Sequence, residues 1–109
     1  MTETDRNNHN VTVHDVPEWG RFEIHLDGRL AGFAQYRVSP GTITFTHTEI
    51  DTAYEGRGLG SSLAKAALDT ARARGWAVHP LCPFVRRWIE RHPDYQDLVP
   101  AGFHPGDPD

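Results

Sequence analysis

The chain has 109 residues, of which 24% are charged, and it carries a formal net charge of −4. This length predicts one compact domain, and the acidic balance argues against the overall basic field of a nucleic-acid-binding protein. The single cysteine, Cys82, excludes an intramolecular disulfide framework and any zinc site built from several thiolates.

The N-terminal residues and the distribution of charge further narrow the class of protein that the sequence allows. Residues 1–10 are polar and lack the apolar segment of a secretory signal, so we predict a disordered tail and a cytoplasmic protein. No apolar run approaches the roughly 20 residues of a membrane helix, so we expect no membrane partner. Residues 57–91 hold seven basic side chains and two acidic ones. This excess of positive charge is compatible with binding of a small polyanion or with helix faces that are exposed to solvent.

Residues 11–50 alternate polar and apolar side chains, which predicts an antiparallel meander. A first strand begins at Val11, and strands over 21–26, 29–38 and 42–50 follow it. The Asp27-Gly28 pair is typical of a type I′ hairpin turn, because both central residues of that turn need a positive φ.

After residue 54 the pattern changes to glycine, alanine and helical spacing. Leu59, Leu63 and Ala71 recur on one helical face, and Pro83 suits the first position of a second helix. The predicted elements are a glycine-rich loop at 55–60, a helix over 61–74, a strand over 76–81, a helix over 83–92 and an irregular segment over 94–109. The sequence therefore predicts one domain over residues 11–99 and an irregular C-terminal tail over 100–109.

A glycine loop between a strand and a helix is suited to bind phosphate. The first helical amides have no intrahelical acceptor, and glycines let a phosphate approach the backbone. Arg57 and Lys65 can add positive charge. The loop is not a Walker motif, because Gly60 is followed by Ser61 rather than lysine. It also follows an antiparallel meander, whereas a dinucleotide fingerprint opens a parallel unit.

Several separated motifs carry a resemblance to a known family. The loop resembles the (Gln/Arg)-x-x-Gly-x-(Gly/Ala) segment of the GNAT acetyltransferase superfamily. The subfamily of very small GNAT-like N-acetyltransferases is similar at three further places: His47-Thr48-Glu49, Pro80-Leu81-Cys82-Pro83-Phe84 and His92-Pro93-Asp94-Tyr95. The resemblance covers residues 11–99. It implies a minimal α/β (α+β) fold, an antiparallel meander followed by β-loop-α-β-α, without the helices that usually separate the first two strands.

This resemblance implies an acetyl-CoA-dependent N-acetyltransferase that acts on an unidentified amine, either a small molecule or a protein. It places coenzyme A, with its pyrophosphate on the loop, against Glu55, Gly56, Arg57, Gly58, Leu59, Gly60, Ser61 and Phe84. It assigns polarisation of the acetyl carbonyl to the backbone of Thr48, Glu49 and Ile50. We expect a monomer or a weak homodimer. The alternative is a non-catalytic CoA-binding or protein-interaction module with the same fold.

The chain departs from the family pattern in three places. Glu55 stands where glutamine or arginine is usual, and only residues 15–20 separate the first two strands, which predicts a shallow acceptor groove. Many GNAT enzymes protonate the leaving thiolate with a tyrosine of the last helix. The nearest equivalent is Trp88, whose indole is a poor acid.

His47 and Cys82 are the candidate catalytic pair. Strict alternation places His47 on one strand face with Phe45 and Glu49, as a neutral imidazole beside a carboxylate. Cys82 precedes Pro83 at the start of the last helix, where the helix dipole stabilises a thiolate. Both residues also have a structural alternative, the cysteine as a small buried hydrophobe and the histidine as a hydrogen-bonded strand residue. The resemblance assigns the pair to catalysis, and the histidine spacing predicts no metal site.

Overall fold

A computed structural model describes residues 2–4 and 10–104 of the chain. The strands form one sheet in chain order, antiparallel from β1 to β5, with β6 parallel to β5. Over the described residues the strands are β1 (Thr2–Thr4), β2 (Asn10–Val16), β3 (Arg21–Leu26), β4 (Arg29–Ser39), β5 (Thr42–Ile50) and β6 (Ala77–Pro80). The antiparallel meander and a last strand near 76–81 are as predicted, whereas the parallel pairing of that strand with β5 comes from the structure alone.

The β3–β4 connection has the turn that its sequence predicts. Asp27 has φ 50° and Gly28 has φ 82°, so both central residues lie in the left-handed region that a type I′ turn requires. The N-terminal tail differs from the prediction, because Thr2–Thr4 pairs with β2 as a short strand. Met1 and residues 5–9 of this predicted tail, and residues 105–109 of the predicted C-terminal tail, lie outside the described residues.

Two helices cover one face of the sheet. They are α1 (Leu59–Ala73) and α2 (Pro83–Glu90), close to their predicted positions. The alanine-rich face of α1 lies flat on the strands because small side chains allow a close approach. The core between helices and sheet includes Phe22, Ile24, Ile43, Phe45, Leu63, Leu68, Val78 and Val85. The segment predicted to be irregular begins with a 3₁₀ turn, Pro93–Leu98, which packs against α2.

No described helix covers the other face, which we call the open face. It is formed by side chains that point away from the core, including Arg21, Glu23, Phe33 and Gln35. Trp19, in the 3₁₀ turn Pro17–Trp19, is 66% exposed at its margin. Among the described residues, no helix is both long and apolar enough to cross a membrane.

A polar network links the first strands to the end of α1. The Tyr36 hydroxyl donates to Asp15 Oδ1, and Arg74 Nη1 donates to Asp15 Oδ2 at 2.9 Å. Burial, followed by the hydrogen bond to Asp15, raises the pKa of Tyr36 well above its usual value. The folded state therefore holds the protonated phenol more tightly than the unfolded chain does.

We predict that Tyr36→Phe lowers the free energy of unfolding by about 1 kcal/mol at neutral pH, because the hydrogen bond to Asp15 is lost. The pKa of Tyr36 is raised in the folded state, so its contribution is complete below about pH 10 and is lost as the pH rises toward the folded value. Urea denaturation at several pH values should show the wild type losing its advantage over Tyr36→Phe above about pH 10. Parallel stability curves would contradict this role.

Candidate active site

The site begins where two parallel strands separate. β5 and β6 pair only from Thr42 with Ala77 to Phe45 with Pro80, and the Cys82 amide then donates to the Phe45 carbonyl at 2.9 Å. β5 continues to Ile50. Beyond Phe45, the edge of β5 that faces away from β4 has no strand partner among the described residues. This unpaired edge, residues 46–50, and the start of α2 form the two sides of a cleft.

A β-bulge in β5 sets which side chains face each side of the sheet. Tyr36 pairs with Phe45 and Gln35 pairs with His47, so Thr46 is the extra residue. The prediction that His47 shares a face with Phe45 is therefore wrong, since one inserted residue reverses the alternation. After the bulge Thr48 points toward the helices, whereas His47 and Glu49 lie on the open face.

The bulge also separates the candidate catalytic residues. His47 contacts the ring of Phe33 on the open face, with the ring centroids 6.0 Å apart. Cys82 lies on the helix side, is 3% exposed, and donates from Sγ to Thr48 Oγ1 at 3.4 Å. The cysteine and histidine side chains thus approach β5 from opposite faces, and Thr48 is the residue that touches the thiol.

His47 and Glu49 remain side by side, as predicted. His47 Nε2 lies 3.7 Å from Glu49 Oε2, with the side chains 56% and 63% exposed. The carboxylate lies beside the imidazole, and both groups are accessible from solvent. This arrangement can accept a proton from a molecule that approaches the open face.

The backbone amides of β5 alternate between β4 and the cleft. The Asp51 amide donates to the Ala31 carbonyl of β4 at 2.8 Å. Successive amides point to opposite edges of a strand, so the Glu49 amide also points to β4. The Thr48 and Ile50 amides therefore face the unpaired edge. Of the three predicted carbonyl-polarising residues, these two offer donors to the cleft.

The glycine loop leads directly into α1. A 3₁₀ turn, Thr52–Tyr54, connects β5 to Glu55, and Gly58 is the N-cap of α1 with φ 75°. No side chain caps this helix and no acidic residue lies in its first turn. The first amides of α1 thus point outward with the positive end of the helix dipole, which favours an anion.

An open cavity of about 370 Å³ lies between this loop and α2. Most of the residues predicted to bind the cofactor line it, namely Glu55, Gly56, Gly58, Leu59, Gly60, Ser61 and Phe84, together with Ile50 of β5. A Cβ atom at Gly60 would lie 2.7 Å from Phe84 Cζ. The absence of a side chain at Gly60 is what allows the Phe84 ring to lie over the helix start.

Sequence reasoning missed part of the cavity wall. Trp88, Arg91 and His92 line it from α2 and its end, whereas the sequence favours a solvated face for the arginines of this helix. The Trp88 indole donates to Ser61 Oγ at 2.8 Å and stacks on His92 with ring centroids 3.7 Å apart. Trp88 is thus a structural link between α1 and α2 rather than an acid. The sequence signals for this wall were the helical spacing of Trp88 and His92 and the His92-Pro93-Asp94-Tyr95 motif.

The charged residues near the loop have defined neighbours. Lys65 Nζ pairs with Asp69 Oδ2 at 2.9 Å, one turn further along α1. Arg57 lies over the Tyr54 ring, with its guanidinium carbon 5.8 Å from the ring centroid. Glu55 places a negative charge at the cavity wall. The cationic side chain that lines the cavity is Arg91.

We predict that Thr48→Val slows alkylation of Cys82 by iodoacetamide about two- to tenfold, because the reactive species is the thiolate and the Thr48 hydroxyl beside it can rotate to donate a hydrogen bond to that sulfur. Thr48→Ser keeps the hydroxyl and is the matched control, expected to react at nearly the wild-type rate. Intact mass spectrometry measures the modified fraction of this single cysteine, under conditions where urea denaturation shows each variant to be folded. Equal rates for the valine and serine variants would contradict a role for the hydroxyl.

Comparison with known proteins agrees with this architecture. The family model of the GCN5-related N-acetyltransferases matches residues 21–98. Protein NATD1 of Mus musculus is 32% identical over 76 residues, covering 67% of this chain and 68% of that protein. Protein NATD1 of Danio rerio is 31% identical over 83 residues, covering 72% and 76%.

A solved structure shares the fold. The solution structure of a GCN5-like putative N-acetyltransferase from Staphylococcus aureus superposes with a TM-score of 0.63 at 24% identity. The match covers 82% of this chain and 87% of that one. The resemblance inferred from the motifs is confirmed, and so is the minimal GNAT-like fold. The chain belongs to the GCN5-related N-acetyltransferase family.

Proposed function

We propose that this protein transfers an acetyl group from acetyl-CoA to an amine, with the β5–β6 cleft as the catalytic centre. The observation that carries the proposal is the continuity of two binding features. The unpaired edge of β5 offers backbone donors and leads directly into the uncapped, glycine-lined start of α1. One ligand with an acyl group at one end and a diphosphate further along fits both.

The described residues fit the diphosphate part of coenzyme A. The amides at the start of α1, from Leu59 to Ser61, are suited to hold phosphate oxygens. Arg91 and His92 line the same cavity from the opposite side. His92 Nδ1 lies 2.6 Å from the Trp88 carbonyl, so this nitrogen carries the hydrogen and the carbonyl fixes the ring in the cavity wall. Phe84 supplies an apolar wall beside Gly60 for the chain that joins diphosphate to sulfur.

When bound, acetyl-CoA supplies an activated acetyl thioester. The amides of Thr48 and Ile50 are the donors suited to its carbonyl oxygen, because they face the unpaired edge of β5. Backbone donors of this kind stabilise negative charge that develops on an oxygen, and they need no reorganisation to do so.

Two proton transfers accompany formation of the amide bond, and this chain has a group on each side of the cleft. On the open face His47, beside Glu49 at 3.7 Å, is suited to take the proton that the acceptor nitrogen loses. On the helix side Cys82, held by Thr48, is suited to act on the sulfur, either by donating a proton or by carrying the acetyl group. The opposed positions of the two residues match these separate tasks.

One observation favours the second candidate function, a non-catalytic CoA-binding module. Cys82 is only 3% exposed, as expected of a cysteine that packs as a small hydrophobe. Under this alternative the cofactor binds in the loop cavity and no acetyl transfer follows. Binding and turnover therefore have to be measured separately.

We predict that acetyl-CoA binds and that Arg91→Gln weakens its binding about two- to fivefold, as expected for the loss of one exposed charge beside a diphosphate. Arg87→Gln removes the same charge from an exposed position of α2 that does not line the cavity, and it should bind like the wild type. Isothermal titration calorimetry measures both. The absence of binding at millimolar acetyl-CoA would refute both candidate functions.

We predict that His47→Ala lowers the turnover number by about 100-fold or more, the usual contribution of a general base, while acetyl-CoA binding is retained. Cys82→Ala should also bind and lose turnover. The control is His14→Ala, which removes an exposed histidine of a different strand, β2, and should leave turnover unchanged. The measurement is the rate of acetyl transfer to each amine of a panel, monitored through the free thiol of coenzyme A that the reaction releases.

The outcome of these assays separates the alternatives. Unchanged turnover in His47→Ala and Cys82→Ala would remove both residues from the mechanism. Binding without transfer to any amine of a broad panel would favour the non-catalytic module. Intact mass after mixing with acetyl-CoA distinguishes the two roles of Cys82, because a covalent acetyl group on the protein should disappear in Cys82→Ala.

A further inference from the structure

We propose that the acceptor is a small aliphatic amine with a second positive charge, such as an aliphatic diamine or polyamine, bound in a cavity at the ends of β4 and β5. That this amine is acetylated rests on the proposed function. That the cavity binds an amine with a second positive charge does not. The cavity is open, has a volume of about 330 Å³, and is separate from the loop cavity of about 370 Å³. We call it the acceptor cavity.

The acceptor cavity adjoins the candidate base. Phe33 and Glu49 line the cavity, and both also contact His47. The cavity thus extends from the His47–Glu49 pair toward the end of β5. A molecule in it would reach the unpaired edge of β5 from the open face, opposite Cys82.

The lining has the chemistry of a site for an alkylammonium ion. Its walls are mainly apolar, and its two charged members, Glu49 and Asp51, are both acidic. The remaining lining residues are Leu30, Ala31, Gly32, Phe33, Ile50 and Thr52. Apolar walls suit the methylene chain of an aliphatic amine, and two carboxylates without a basic lining residue give the cavity a charge opposite to that of an ammonium group. Its volume lies within the roughly 300–1,000 Å³ of small-molecule sites.

The aromatic residue of this cavity already contacts a cation. The Arg21 guanidinium carbon lies 4.8 Å from the Phe33 ring centroid and 5.1 Å from that of Trp19. Arg21 is itself paired with Glu23 at 2.7 Å, so its charge is compensated within the sheet. The Phe33 ring is therefore already in contact with a cation, and it contributes an apolar wall to the cavity.

The spacing along β5 favours two charges over one. A strand rises about 3.3 Å per residue, so the backbone positions of His47 and Asp51 are separated by about 13 Å. A reactive amine beside the His47–Glu49 pair would leave a second ammonium group, joined by a methylene chain, near Asp51. Asp51 also accepts a hydrogen bond from the Ala53 amide at 2.9 Å, which holds its carboxylate in place.

The test is an NMR titration of the isotopically labelled full chain with spermidine, in the absence of acetyl-CoA. We expect saturable shifts of amides in residues 30–33 and 47–52. n-Butylamine, which has a single charge, should bind more weakly by about fivefold or more. Glu49→Gln should weaken spermidine binding about two- to fivefold, and added salt should weaken it further. Glu18→Gln removes the same charge from an exposed site outside the cavity and should change nothing.

Several outcomes would overturn the inference. Equal affinity for n-butylamine and spermidine, unchanged spermidine binding in Glu49→Gln, or the absence of saturable shifts would each do so. Shifts of the same amides that depend on protein concentration alone would show that a second copy of the chain occupies this face instead. Spermidine binding without any binding of acetyl-CoA would refute the proposed function and leave the cavity assignment standing. Equal rates of acetyl transfer to amines with one and with two positive charges would refute only this inference.

Discussion

The functional architecture depends on the point at which β5 and β6 stop pairing. The last link between them is the hydrogen bond from the Cys82 amide to the Phe45 carbonyl. Beyond it β5 continues alone, while the chain after Cys82 turns into α2. An unpaired strand edge is normally a liability in a folded protein. Here it supplies backbone donors next to a helix start, which is an arrangement suited to an extended ligand with polar groups at both ends.

The bulge at Thr46 gives this edge two chemically different sides. It turns Thr48 toward the helices and the Cys82 thiol, and it turns His47 and Glu49 toward the open face. One inserted residue thus separates a thiol on one side of the sheet from an imidazole–carboxylate pair on the other. In the proposed reaction, cofactor and acceptor approach the same strand from these opposite sides. Only the 3₁₀ turn Pro17–Trp19 separates β2 from β3, so no longer helix of the described residues covers the open face.

Local features of the sequence were sufficient to predict most of the fold. Asp27-Gly28 predicted its turn because the positive φ angles are a property of those two residues. Thr42–Ile50 and Arg21–Leu26 were predicted with their observed limits, since alternation is a local pattern. The glycine loop and Pro83 similarly mark the starts of the two helices. The face of His47 could not be predicted, because the bulge is defined only by pairing with β4. That Arg91 and His92 line the loop cavity could not be predicted either, because it depends on the packing of α2 against α1, which includes the Trp88–Ser61 hydrogen bond.

The sequence by itself determined the family, the meander, the glycine loop and the identity of the candidate chemical groups. These depend on short-range patterns of residue type and spacing, which each segment carries alone. Tertiary structure decided which distant groups meet: Thr48 with Cys82, His47 with Phe33, and Arg91 with the loop. Contacts of this kind depend on strand register and on the packing of one helix against another. Both are set by residues that are distant in the chain, so no local pattern encodes them.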